Sequence, residues 1–130
     1  MTSDRIYNAI ILNEPYAQYV KEQKKTIETR MKAFKYRGDI IICCDKGKSK
    51  HSPNAGKALC IVEIYEVRKM QDKDATAACI ENAPGRYAYL LRNWRYFSYE
   101  FQFVPNAVTK NWQGIFELRV PDFVTINHDY

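Results

Sequence analysis

Short apolar runs separated by polar turns set the pattern of this chain. Tyr7 to Leu12 is one such run and reads as a first strand. Asn13 can accept from the free N–H groups of a first turn, and the missing N–H of Pro15 costs little there, so a helix is predicted to start here. Spacings of three and four among Tyr16, Tyr19, Val20 and Gln23 extend it and place Tyr16 and Val20 on one stripe. From Thr26 the pattern becomes alternation. A strand over 26–31 would project Thr26, Glu28 and Arg30 to one face and Ile27, Thr29 and Met31 to the other, with Lys25 at the bend. Lys32 to Arg37 reads as a basic linker anchored by Phe34 and Tyr36, and Gly38-Asp39 as a turn. Ile40 to Cys44 is apolar at every position, which suits a central strand buried on both faces.

Beyond it, Asp45 to Gly56 is a polar loop whose Lys46, Lys48 and Lys50 make it a candidate phosphate-facing flap. Lys57 to Met70 is the longest strand signal. Strict alternation would put Cys60, Val62 and Ile64 on one face and Leu59, Ile61, Glu63, Tyr65 and Val67 on the other, with Glu63 leaving the core at a bend. Asp72 to Asn82 predicts a short helix capped by Asp72 or Asp74 and stopped before Pro84-Gly85. Arg86 to Leu91, Phe101 to Pro105 and Gly114 to Val120 read as further strands, and Pro121 to Tyr130 as a loosely held tail. About five to seven strands with two or three short helices, not alternating as β-α-β units, predict an α+β fold: a mixed β-sheet curled into a small pseudo-barrel. The length suits one domain over residues 1–130, with its core at about 7–120 and the tail at 121–130.

Charge sharpens this picture. The chain carries a net charge of +5, yet residues 21–50 alone hold ten Lys or Arg against four acids, an excess of six. Such a cluster favours a phosphate-bearing or otherwise anionic partner. Ten Tyr supply apolar area with a hydroxyl, useful in a core or in stacking on bases. Nowhere are there 18 consecutive apolar residues, and Met1 to Ile10 carries Asp4 and Arg5, so neither a membrane partner nor a secretory leader is expected. A reduced, cytoplasmic protein follows for Cys43, Cys44, Cys60 and Cys79. Adjacent Cys43 and Cys44 point to opposite strand faces and lack C-x-x-C spacing. His51 and His128 lack ligand partners at a recognisable interval, so no metal and no cofactor are expected.

The stretch richest in positioned chemistry is Lys25 with Thr26, Glu28 and Arg30. On charge alone it fits a solvated strand face equally well, its ion pair worth about 0.2–1 kcal/mol. The strings Glu14-Pro15-Tyr16-Ala17, Lys25-Thr26-Ile27-Glu28-Thr29-Arg30 and Arg37-Gly38-Asp39-Ile40-Ile41-Ile42 together resemble the ASCH (activating signal cointegrator homology) domain of the PUA-like superfamily. Its pattern runs Gln-Pro-Tyr-Ala, Lys-Thr-x-Glu-x-Arg and Arg-Gly-x-x-x-Ile in that order; Glu14 stands here for the Gln and Lys24 for a Gly. Tyr87 to Asn93 resembles a Tyr-Ala-Trp-x-Leu-x-Asn segment, with Tyr89 at the Trp. The resemblance implies a PUA-like pseudo-barrel with a cleft between barrel and first helix, lined by Lys25, Thr26, Glu28 and Arg30 and walled by Tyr16. It implies a binding module for single-stranded RNA or a modified nucleoside or nucleotide, with Lys46 and Lys48 as further phosphate contacts and Tyr16 or Trp94 stacking on a base. Some members resemble hydrolases that deacetylate acetylcytidine, with a Lys-Thr-Ile-Thr-x-Arg pattern and a later Glu, and others are linked to RNA cleavage. Glu28 stands where that pattern has its second Thr, so an enzyme here would use Lys25 and Glu28, with Glu81 or Asp74 as the later acid.

Overall fold

A computed structural model describes residues 5–81, 84–104 and 114–128. Asn82, Pro105 and Tyr130, which end the expected helix, strand and tail, lie outside the described residues. In chain order the elements are β1 (Ile6–Leu12), α1 (Tyr16–Lys21), β2 (Ile27–Arg30), β3 (Gly38–Cys44), β4 (Ala58–Lys69), α2 (Asp74–Ala78), β5 (Tyr87–Phe97), β6 (Phe116–Arg119) and β7 (Ile126–His128). The strands form one sheet in the order β2-β5-β4-β3-β1-β6, and β7 pairs with β5. β1 and β3 run parallel and the other pairs antiparallel, the mixed, curled α+β arrangement the pattern predicts.

The apolar run of β3 explains its central place. Ile40, Ile42 and Cys44 enter one core cluster and Ile41 and Cys43 the other, so both faces of the strand are buried. Ala17 and Val20 of α1 close the first cluster together with Phe34, whose N–H donates to the buried Tyr89 hydroxyl at 2.8 Å. The second cluster is aromatic, with Phe97, Phe101, Phe103 and Phe116.

Strict alternation fails along β4. Ile42 faces Cys60 and Cys43 faces Ala58, so Leu59 is an extra residue in a bulge and turns inward beside Cys60. Further register shifts follow at Ile61/Glu63 and Ile64/Glu66, and Val67 packs on the same cluster as Ile64. Glu63 leaves the core as expected and receives Arg92 in a forked pair at 3.1 and 3.2 Å. In β5, Asn93 takes φ +59 where the strand changes edge partners: β2 pairs with Tyr87 to Leu90, β7 with Arg95 to Phe97.

Several local expectations change. Over the described part of the expected strand from Phe101 to Pro105 there is an isolated bridge from Gln102 to Lys57, and Gly38-Asp39 opens β3 instead of forming a turn. The cap of α1 comes from Glu14, whose Oε1 accepts the Gln18 N–H at 2.8 Å, while Asn13 contributes its main-chain carbonyl to Ala17. The longer glutamate side chain reaches past Pro15, which stands at the N-cap with no side-chain bond of its own. In α2 the N-cap residue, Lys73, makes no side-chain capping bond either. Its Asp74 carboxylate accepts the Gln71 N–H and a bidentate pair from Arg68 at 2.6 and 2.8 Å. Residues 121–128 are held against the sheet, not loose: Val124 is fully buried, the Arg5 guanidinium donates to the carbonyls of Pro121 and Val124, and β7 extends β5.

Candidate functional site

Where the end of β1, the start of α1, β2 and the segment after α2 converge, a cavity of about 430 Å³ opens. Leu12, Asn13 and Tyr16 form one wall; Lys25, Glu28, Thr29 and Arg30 form the second; Ile80, Glu81 and Arg86 form the third. The Thr26 N–H donates to Ala77 O at 2.9 Å and pins the end of α2 onto β2. Cys79 then takes φ +57, a left-handed turn that ends the helix, and the chain continues through Ile80 and Glu81 along the cleft.

Lys25 is the floor. Its side chain is 2% exposed, its Nζ donates to Ala78 O, lies 3.6 Å from Glu28 Oε1 and sits 5.2 Å from the centre of the Tyr16 ring. Burial pushes this ammonium below its ordinary 10.5, and Glu28 opposes that shift. The Glu28 carboxylate, itself buried, accepts Arg30 Nε through Oε2 at 3.1 Å. One carboxylate is thus gripped by an ammonium on one oxygen and a guanidinium on the other.

Arg30 reaches across to the far end of the sheet. Its Nη1 lies 3.2 Å from where a Cβ of Gly114 would stand, and Gly114 has φ +81, a conformation side chains strain to adopt. Arg86 clasps the edge strand from outside: Nε donates to Thr29 Oγ1 at 2.9 Å and Nη2 to Thr29 O at 3.1 Å. That satisfies a backbone acceptor on the free side of β2. Lys25, Arg30 and Arg86 against Glu28 and Glu81 leave the lining with an excess of one positive charge.

Of the residues singled out in the sequence, the structure brings Tyr16, Lys25, Glu28 and Arg30 together. Thr26 is not in the lining. β2 begins at Ile27, so the alternation does not reach back to Thr26, whose backbone is committed to Ala77 and Leu91. Lys46 and Lys48 lie on the loop beyond β3, outside this cavity. Trp94 is an interior residue whose Nε1–H donates to Val20 O at 2.7 Å. Strict alternation puts Thr29 on the face opposite Glu28 and Arg30, yet all three line the cavity, and sequence reasoning did not reach Arg86 or Ile80. Arg86 follows a Pro-Gly turn and carries no periodic signal; only the pairing of β5 with β2 brings it to the cleft. Among the two acids considered for the segment 72–82, Glu81 lines the cavity and Asp74 is taken up by Arg68. Among the described residues no three His, Cys, Asp or Glu are grouped to hold a metal ion, and no helix is long and apolar enough to cross a membrane.

Comparison with known proteins gives the family and supports the fold. The ASCH domain family model matches residues 10–115, and the chain belongs to that family. The fold is shared with crystal structures of ASCH from Zymomonas mobilis. One is 15% identical with a TM-score of 0.50 and covers 66% of each chain, just under two thirds. A tyrosine-to-phenylalanine mutant is 11% identical with a TM-score of 0.55, covering 88% of this chain and 90% of that one. A serine-to-alanine mutant is 12% identical with a TM-score of 0.55, covering 92% and 91%. No curated protein matches the chain.

Proposed function

We propose that the cleft binds single-stranded RNA or a nucleotide derivative, a base entering the cavity and a phosphate resting at its mouth. The observation that carries this reading is the Glu28 carboxylate, held between Lys25 and Arg30 in a cavity of about 430 Å³. That volume falls within the range of small-ligand sites, roughly 300–1,000 Å³. A carboxylate fixed from two sides is an oriented acceptor for an exocyclic amine or a ribose hydroxyl, and Tyr16 offers an aromatic wall. Arg30, whose Nε holds Glu28, turns its remaining N–H groups to a phosphate, Arg86 adds positive charge while bonded to Thr29, and the cationic excess of residues 21–50 draws a polyanion toward the cleft. Lys25, committed to Ala78 O and Glu28 and nearly closed to solvent, acts as a fixed charge beneath the ligand.

Fluorescence anisotropy with short labelled single-stranded RNA tests this. Arg30→Ala is expected to weaken binding about tenfold, the loss of a charge-assisted contact. The log-log salt slope should be about −0.7 per phosphate contact. Affinity unchanged by Arg30→Ala and flat in salt would overturn the reading.

A second reading, hydrolysis of a nucleoside amide or of RNA, has Glu81 in its favour, since it places a carboxylate in the cleft with Lys25 and Glu28. In amide hydrolysis, a carboxylate would take a proton from water as its oxygen adds to the acyl carbon, the Lys25 ammonium would stabilise the oxyanion, and the amine would leave with that proton. Acetylcytidine incubated with the protein gives the readout. Product lost in Lys25→Ala supports an enzyme; equal turnover by that variant removes Lys25 from any mechanism.

A further inference from the structure

A smaller cavity of about 190 Å³ lies beside the first, lined by Ile11, Asp45, Lys46, Gly47, Phe103 and Val104. Ile11 lines both. At this volume it falls below the range of independent small-ligand sites, so it suits one group of a ligand seated mainly elsewhere. Its lining carries one cation, Lys46, and one acid, Asp45. The Lys46 stem packs over Gly56, with Cδ and Cγ each 3.5 Å from where a Cβ would stand, and Gly56 has φ +73. Lys46 makes no ion pair among the described residues. The acid in the lining, Asp45, is turned back on its own loop and accepts the Lys48 N–H at 2.5 Å.

The geometry points to a second anion subsite: the Lys46 cavity takes the phosphate of the unit next to the one held in the main cleft, so the ligand is at least a dinucleotide. This inference rests on the nucleotide reading of the cleft. The two cavities adjoin at Ile11, and one strand spans them with a unit in each.

The test compares Kd values for matched 5′-phosphorylated mononucleotides and dinucleotides of each base, on wild type, Lys46→Ala, Lys46→Arg and Lys69→Ala, the last an exposed lysine that lines neither cavity. In wild type the best dinucleotide is expected to bind about tenfold tighter than its mononucleotide, as one added charge-assisted contact gives. Lys46→Ala should erase that gain while leaving mononucleotide affinity in place, Lys46→Arg should restore it, and Lys69→Ala should change neither. Equal binding of mononucleotide and dinucleotide by wild type would overturn the subsite while leaving the cleft reading intact. Equal loss for both ligands in Lys46→Ala would also overturn it. Absence of binding by either ligand removes the cleft reading and the subsite together.

Discussion

At Lys25, burial and charge act against each other on one side chain. Burial favours the neutral amine, Glu28 favours the ammonium, and burial prevails. Replacing the counterion should therefore lower the value further: Glu28→Gln is expected to shift the Lys25 titration to lower pH, read from its side-chain NMR signals. The sign carries into stability. Between Lys25's folded value and 10.5 the unfolded chain holds the proton more tightly, so stability rises with pH through that window. Urea midpoints of wild type and Lys25→Met should converge or cross accordingly as pH is raised toward 10.5. Asp74 has the opposite sign. The Arg68 fork, opposed by burial and helped by the Gln71 N–H, holds its carboxyl below the ordinary 3.8, so its contribution is present above that value and lost as pH falls. Asp74→Asn should cost about 1–3 kcal/mol near neutral pH, the scale of leaving buried partners unmet, and progressively less in acid. Lys25, Glu28, Arg30 and Tyr16 were legible in the sequence because each belongs to a local motif whose spacing projects it. Arg86 and Thr29 were not, because their meeting depends on a strand pairing between residues 57 apart.

The first helix and the loop Asp45 to Gly56 behave as one unit through Glu14. Its Oε2 accepts the Ser52 hydroxyl at 2.6 Å and Asn54 Nδ2 at 2.9 Å, while the Ser49 hydroxyl accepts the Glu14 N–H at 3.0 Å. Burial pushes the Glu14 carboxyl up, yet Ser52, the Gln18 N–H, Asn54 and Lys21 together bring it below its ordinary 4.5. The clasp is thus intact above 4.5 and loosens as acid protonates the group. Glu14→Gln should speed hydrogen exchange at Gln18 and across Ser49 to Gly56 at neutral pH, while β3 amides stay protected. Composition alone predicted a free polar flap here, because a loop rich in Lys, Ser and Gly looks the same whether solvated or clasped. The long strand failed in a similar way. Apolar residues at consecutive positions mark β4 as buried without saying where an extra residue bulges, and the bulge at Leu59 depends on its pairing with β3.

Closure of the whole sheet converges on Arg30 and Gly114. The mixed, curled architecture was legible from short strands without βαβ rhythm; the closeness of its two ends was not, since no local pattern relates β2 to the approach of β6. A methyl at residue 114 would meet both a strained backbone and the Arg30 guanidinium. Gly114→Ala is expected to destabilise by about 1 kcal/mol, the order of the backbone term, and to weaken RNA binding by displacing Arg30; calorimetry and anisotropy on the same sample check both. The sheet order has one more consequence, for the order in which the chain is made. β1 is made before the other strands of this sheet, yet one of its two edges is completed only by β6, more than a hundred residues later. Until Phe116 to Arg119 arrive, Ile6 to Ala9 presents an open strand edge, and such distant pairing slows the final step of folding. During synthesis this sheet is therefore most exposed to misassociation at the strand it acquires first.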